Sequence, residues 1–152
     1  MIDLGSISFA TVDARPPFDC GYAQLGERLG ARLLGATCYE LAAGQQLYPY
    51  HYHHGVEEWL IVLAGTPTLR GPDGERQLRL GDATCFPLGP EGAHTVHNRD
   101  AATARVLMLS TRADASVSVY PDSGKLGTRP VGAPADRLNF RREDAVDYWS
   151  GE

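Results

Sequence analysis

The sequence predicts a single all-β domain, a barrel or sandwich of short strands. Its 152 residues are the length of one domain. Apolar residues make up 43% of the chain, enough for a hydrophobic core, and charged residues make up 22%. The chain has 17 glycines and 10 prolines, about 18% of its residues against a usual ~12%. This excess indicates many tight turns, and no convincing helical stripe of apolar residues runs between the candidate strands.

Runs rich in β-branched, aromatic and other apolar residues mark the strands, because each run ends at a turn residue. The run from 58 to 63 stops at Gly65 and fits a strand that is buried on both faces. Gly71-Pro72-Asp73-Gly74 predicts the clearest hairpin, since proline presets φ, aspartate caps the turn and glycine accepts positive φ. The predicted strands cover residues 37–41, 58–63, 66–70, 75–80, 83–86, 94–97 and 104–110.

The two ends of the chain differ from its centre. We expect a barrel core over about 36–111, an N-terminal extension over 1–35 and a C-terminal tail over 112–152, all within one domain. The tail is rich in proline, glycine and charge and closes near Tyr148-Trp149. Because an exposed aromatic pair is costly, we expect the tail to pack on the barrel or on a partner subunit.

Charge and composition exclude several classes of function. The net charge is −5 and the pI about 5.5, and no basic run exceeds Arg141-Arg142, so neither nucleic acid nor an anionic membrane is an expected partner. The apolar run over 59–64 is far short of a membrane span, and the start lacks the features of a signal peptide. The three cysteines have no C-x-x-C spacing, which predicts neither disulfides nor a zinc knuckle and favours the cytoplasm.

All five histidines lie in one stretch in the middle of the chain, which indicates a functional site. In a strand, side chains alternate between faces, so His51 and His53 point to one side and Tyr52 to the other. Glu57-Glu58 follows just before a buried strand, where a carboxylate is costly unless it is paired or binds a metal. The five histidines are His51, His53, His54, His94 and His97.

Alternation also separates the last two histidines. His94, Val96 and Asn98 share one face of the predicted strand, and His97 takes the other. His94 is therefore favoured as the partner of His51 and His53, while His54 and His97 are interpreted as surface or supporting residues.

Two ordered motifs resemble those of the cupin superfamily. The spacing of Gly44, His51-Tyr52-His53, Glu58 and Gly65 resembles the first cupin motif, and that of Gly81, Pro87, Gly89, His94 and Asn98 resembles the second. The gap before His51 is one residue longer than the family pattern and the gap before His94 two residues longer, both in loops, where insertions are tolerated. Six residues separate Glu58 from Gly65, as in the first motif, so Glu58 rather than Glu57 matches the glutamate of that motif.

The resemblance implies a single-domain cupin of the uncharacterised bacterial type, a double-stranded β-helix or jelly-roll barrel with short extra terminal segments. His51, His53, Glu58 and His94 would converge on one divalent ion, and such a donor set suits Fe, Mn, Ni, Zn or Cu with open positions for a ligand. Leu60, Val62 and Val96 would share the inward face. A homodimer is also expected.

The sequence leaves two functions open. One is a metal-dependent enzyme on a small molecule, of the dioxygenase or isomerase type, for which Glu57, His97, Tyr39 and Tyr50 are unranked acid–base candidates. A sugar phosphate would require a cation in the pocket. Arg105 is the only candidate arginine, and the alternative interpretation of it is an exposed strand residue. The other is a binding or sensing protein without enzymatic activity that uses the same pocket.

Overall fold

The computed structural model describes residues 1–11 and 15–152, and within them the chain is almost entirely β-structure. The helical segments in this part are four 3₁₀ helices of three residues, Pro90–Gly92, Pro121–Ser123, Pro134–Asp136 and Arg142–Asp144. The strands are β1 (Ala10–Thr11), β2 (Gly21–Gln24), β3 (Leu34–Leu41), β4 (Gln46–His54), β5 (Glu58–Ala64), β6 (Thr68–Gly71), β7 (Gly74–Gln77), β8 (Ala83–Phe86), β9 (His94–His97), β10 (Ala104–Thr111), β11 (Val117–Tyr120), β12 (Lys125–Thr128) and β13 (Asn139–Arg141).

The strands form two antiparallel sheets. The first has the order β1-β2-β3-β10-β5-β8, and the second has the order β13-β12-β11-β4-β9-β6-β7. The chain passes between the sheets repeatedly, so that β3 and β5 lie in the first sheet and β4 lies in the second. This arrangement is a jelly roll, and the predicted all-β fold is confirmed.

Each predicted strand overlaps an observed one, although β6 begins two residues later than predicted and β7 ends three residues earlier. The hairpin at Gly71-Pro72-Asp73-Gly74 joins β6 to β7, with Gly71 opposite Gly74. Strands β8 and β9 have the predicted limits, and β3, β5 and β10 extend beyond theirs by one to three residues. Turn chemistry and β-propensity were therefore sufficient to locate these elements.

The main core lies between the two sheets. Leu60, Val62 and Val96, which we expected on the inner face, are at most 1% exposed and belong to this core with Leu41 and Val106. These residues come from strands of both sheets, so the core fixes how the sheets stack. Burial of such side chains stabilises a fold by about 1.5–3 kcal/mol each.

The N-terminal extension covers the outer face of the first sheet. Ile2, Leu4, Ile7 and Phe9 pack against a second cluster of buried residues, beside Leu107 of β10. Both faces of β10 are consequently covered, and most of its side chains are apolar. This explains why the sequence of β10 is apolar at most positions.

Two motif residues have structural roles. Gly65 has φ of +74°, and a Cβ there would lie 2.8 Å from the Cα of Ala104, so the turn after β5 requires glycine. The fully buried Asn98 donates from Nδ2 to the carbonyls of Leu41 and Ala102 and accepts from the N–H of Asp100. Asn98 thus ties the end of β9 to the loop before β10.

The C-terminal tail adds strands that the sequence did not predict. Strand β11 pairs with β4, and β12 and β13 extend the same sheet. The aromatic pair is not docked on the barrel, since Tyr148 is 84% exposed and Trp149 71%. Packing of this end on a partner subunit stays a prediction.

In the described residues no helix has the length and apolar character that crossing a membrane requires.

Candidate metal centre

A cavity of about 270 Å³ opens between the sheets, next to the main core. Its volume is slightly below the ~300–1,000 Å³ of typical ligand sites, which suits a ligand of metabolite size. It is lined by Tyr39, Leu47, Tyr48, Pro49, His51, His53, Glu58, His94, Val96, Met108, Ser118, Tyr120 and Arg129.

Strand β4 supplies two imidazoles to the cavity. His51 and His53 share its inner face, as alternation predicts, and their ring centroids lie 4.7 Å apart. His51 is 7% exposed and stacks on Tyr120 at 5.8 Å. The two imidazoles are thus held close together in a largely buried position.

Strands β5 and β9 complete the cluster. Glu58, the first residue of β5, places its Oε2 3.1 Å from Nε2 of His53 and 3.5 Å from Nε2 of His94. His94 begins β9 opposite His51, and its ring stacks on Phe86 at 3.7 Å. The structure therefore brings together all four side chains that the motifs indicate.

The second nitrogen of each imidazole is held by a neighbouring group. Nδ1 of His51 lies 2.8 Å from the carbonyl oxygen of Pro49, and Nδ1 of His94 lies 2.8 Å from that of Gly92. A carbonyl oxygen only accepts, so both Nδ1 atoms donate, and both Nε2 atoms present a lone pair to the cavity.

His53 is held differently, because Nδ1 of His53 lies 3.1 Å from the hydroxyl of Ser118. A serine hydroxyl can donate or accept. When it accepts, Nε2 of His53 also presents a lone pair towards Glu58. The three imidazoles can therefore be ligands at the same time.

Burial sets the charge state of these groups. Burial lowers the pKa of His51 to about 4, assisted by His94 and His53, and burial also lowers the pKa of His94. Burial acts to raise the pKa of Glu58, but the contact with His53 and the attraction of the carboxylate to the protonated forms of the three histidines outweigh it, so this pKa lies below its ordinary value. Neutral imidazoles beside an ionised carboxylate are the states that bind a metal.

One atom of the cluster lacks a partner. Oε2 of Glu58 is fully buried and has no hydrogen-bond partner of good geometry in the described part of the chain. An unsatisfied buried carboxylate oxygen is costly. The donor atoms of His51, His53 and Glu58 lie within 4.8 Å of one another, so these residues could hold a metal ion that satisfies Oε2.

Several other candidates lie outside the cavity. Glu57 accepts a hydrogen bond from Nε1 of Trp59 at 3.2 Å, away from the imidazoles. His54 is exposed and packs against Tyr52. His97 and Tyr50 do not line the cavity, and Tyr50 lies under the guanidinium of Arg70. Of the four acid–base candidates, Tyr39 alone is part of the cavity wall.

Arg105 does not line the cavity, which agrees with the alternative interpretation of this residue. Its neighbours Ala104 and Val106 point into the fold, so Arg105 points outward, where its Nε donates to Glu40 at 2.7 Å. The apolar pattern on both faces of β10 concealed this direction. The arginine that lines the cavity is Arg129, which forms no ion pair with the acidic groups of residues 1–11 and 15–152.

Sequence reasoning also missed Tyr48, Ser118 and Tyr120. Ser118 and Tyr120 reach the cavity because β11 pairs with β4, with Ser118 opposite His53. Valine alternates with a hydroxyl-bearing residue in Val117-Ser118-Val119-Tyr120, and this alternation could have predicted strand β11. Tyr48 lies in an irregular part of β4 that no periodic pattern marks.

Comparison with known proteins supports the assignment of the fold. Residues 38–110 match the cupin domain family, and no curated protein matches the sequence of the chain. A solved sugar phosphate isomerase of the cupin superfamily from Silicibacter pomeroyi has a TM-score of 0.82 and 23% identity, with 97% of this chain and 96% of that chain covered.

Two further solved structures are similar. A proposed sugar phosphate isomerase from Acidithiobacillus ferrooxidans has a TM-score of 0.79 and 27% identity, over 87% of this chain and 82% of that chain. A polyketide cyclase from Streptomyces resistomycificus has a TM-score of 0.60 and 20% identity, over 73% and 78%. Residues 38–110 therefore form a cupin-type domain, and the jelly roll around them is shared with these solved structures.

Proposed function

We propose that this protein is a metal-dependent isomerase of a small phosphorylated sugar, with His51, His53, Glu58 and His94 holding one divalent ion. The proposal depends first on Oε2 of Glu58, which is buried and unsatisfied within 3.5 Å of two imidazole nitrogens. A cation there would neutralise the carboxylate and use the lone pairs of the imidazoles. Three imidazoles and one carboxylate suit Fe, Mn, Ni, Zn or Cu.

When bound, such an ion supplies Lewis-acid polarisation of a substrate oxygen. The chain's own residues supply the rest of the site. Phe86 and Tyr120 stack on ligand imidazoles, while the hydroxyls of Tyr39 and Tyr48, 2.7 Å apart, form a polar pair in the cavity wall.

Arg129 supports an anionic substrate. Glu58 belongs to the proposed ligand set, and Arg129 is the other side chain of fixed charge among the lining residues. A guanidinium is well suited to bind a phosphate through two hydrogen bonds. The name of the Acidithiobacillus ferrooxidans relative, a proposed sugar phosphate isomerase, agrees with this choice.

Turnover assays test the proposal. Protein loaded in turn with Fe²⁺, Mn²⁺, Ni²⁺ or Zn²⁺ is incubated with aldose and ketose phosphates, with product formation followed by NMR and oxygen by an electrode. Interconversion without oxygen uptake is the expected result. Oxygen uptake would instead favour a dioxygenase, and thermal stabilisation by a ligand without turnover would favour a binding or sensing protein.

Replacement of Arg129 by alanine is expected to raise KM for the phosphorylated sugar by about 10–100-fold with kcat little changed, because a charged hydrogen bond contributes about 1.5–3 kcal/mol. Arg105→Ala, which changes an arginine outside the cavity, is the matched control. Equal KM values for the Arg129 variant and the control would contradict the role of Arg129.

Ser118→Ala is expected to weaken metal affinity by about 10–100-fold, since groups that orient a ligand imidazole have effects of this size. The substitution removes the hydroxyl that holds Nδ1 of His53. Competition with a chelator of known affinity measures the change, and Ser123→Ala, at the exposed end of a 3₁₀ helix, is the control. An unchanged affinity would show that Ser118 does not orient His53.

A further inference from the structure

Strand β4 contains a bulge beside the proposed metal centre, and Tyr48 lies within it. Leu47 pairs with Val96 and His51 pairs with His94, so residues 48–50 stand opposite Thr95 alone. Bulges re-aim side chains and are frequent next to active sites. The proposed function gives this bulge no role.

The backbone of Tyr48 is strained. Its φ is +57°, and no other non-glycine residue in the described part of the chain has a positive φ. A bulky side chain is unfavourable in this region, and such outliers cluster at functional sites. Leu47 lines the cavity, and in a regular strand its neighbour Tyr48 would point to the opposite face of the sheet. Here the side chain of Tyr48 lines the cavity as well.

Three hydrogen bonds hold the strained residue in place. The hydroxyl of Thr95, which is 1% exposed, donates to the carbonyl oxygen of Tyr48 at 2.7 Å. Nε2 of Gln46 donates to the same oxygen at 3.2 Å and to the hydroxyl of Thr95 at 3.0 Å. The bulge is therefore braced from its outer side.

The hydroxyl of Tyr48 is positioned to donate a hydrogen bond into the cavity. It lies 2.7 Å from the hydroxyl of Tyr39, which is the more buried residue, 8% exposed against 44% for Tyr48. A buried hydroxyl needs a partner for its hydrogen, and donation from Tyr39 to Tyr48 provides one. The hydrogen of Tyr48 is then free to point into the cavity, where its ring lies 6.2 Å from that of His51.

We infer that the bulge holds Tyr48 in a strained conformation so that its hydroxyl donates a hydrogen bond to an oxygen of the ligand bound at the metal centre. The identity of the bound ligand rests on the proposed function, whereas the strain at Tyr48 does not. Two measurements therefore test the two parts separately.

The first measurement is the melting temperature of paired variants. Tyr48→Gly and Tyr48→Ala both lose the side chain, but only glycine adopts positive φ without cost, so the glycine variant is expected to melt a few degrees higher. Tyr50→Gly and Tyr50→Ala are the control pair in the same bulge, and there alanine is expected to melt higher. The same order at both positions would overturn the strained placement.

The second measurement is ligand binding to cobalt-loaded protein. Acetohydroxamate, a small ligand that binds metal ions through oxygen, is titrated while the visible spectrum of the cobalt is recorded. Tyr48→Phe, which lacks only the hydroxyl, is expected to bind it about tenfold more weakly than the wild type. Tyr50→Phe is expected to bind it normally.

Equal affinity of the wild type and Tyr48→Phe for acetohydroxamate would overturn the role of the hydroxyl. Cobalt content, measured on every variant, shows whether a loss of binding reflects a loss of metal. A wild-type protein that takes up no cobalt would refute the proposed function and the ligand contact together, while the melting order would still decide whether Tyr48 is strained.

Discussion

Replacing His51 and His53 together by alanine is expected to reduce the metal content of the purified protein from a stoichiometric amount to background. The double variant keeps only Glu58 and His94 of the proposed ligands. Loss of two direct ligands should weaken binding by far more than the ~10–100-fold that follows from loss of a supporting residue. Any metal-dependent turnover should disappear with the ion.

The metal content is measured by mass spectrometry of the purified protein, with circular dichroism to show that the β-fold persists. The core formed by Leu41, Leu60 and Val106 does not include these histidines, so the variant should remain folded. His54→Ala, at an exposed histidine of the same strand, is the control and should retain its metal. Stoichiometric metal in the double variant would refute the site.

Replacing Gly92 by alanine is expected to destabilise the protein by about 3 kcal/mol, as strong overpacking does, which corresponds to roughly 6–12 °C in Tm for a chain of this size. A Cβ on Gly92 would overlap the carbonyl oxygen of Pro87 and approach the Pro87 carbonyl carbon to 2.9 Å. Both obstacles are backbone atoms, so the loop itself must move.

The same substitution should also weaken metal binding, because the carbonyl oxygen of Gly92 holds Nδ1 of His94. Thermal denaturation and chelator competition on one preparation separate the two effects. Gly71→Ala is the control, since a Cβ there would meet only the carbonyl oxygen of Ala93, at 4.0 Å. A Gly92→Ala protein that melts with the wild type would contradict the close approach to Pro87.

Local patterns were sufficient for much of the fold and for the inner histidines. The turn at Gly71-Pro72-Asp73-Gly74 is encoded by adjacent residues, and alternation separates His94 from His97 because β9 is a regular strand. The ordered spacing of the motifs indicated Glu58 over Glu57, and the structure places Glu58 beside the imidazoles.

The remaining features depend on contacts that no local pattern contains. Ser118 reaches His53 across 65 positions of the chain, through a strand whose surroundings are rich in glycine and proline. The direction of Arg105 stayed open because β10 is covered on both faces, so alternation of polar and apolar residues could not reveal it. The orientation of Tyr48 depends on a register shift in β4 and on bracing by Thr95.

The main-chain contacts of His51 and His94 have a consequence for how this site can change in evolution. Each of these imidazoles is oriented by the carbonyl oxygen two residues before it, from Pro49 and from Gly92. Every residue type carries a carbonyl oxygen, so substitution at positions 49 or 92 alters these contacts only by moving the backbone. The wall residue Arg129 can therefore vary towards new ligands while two of the three imidazoles keep their orientation.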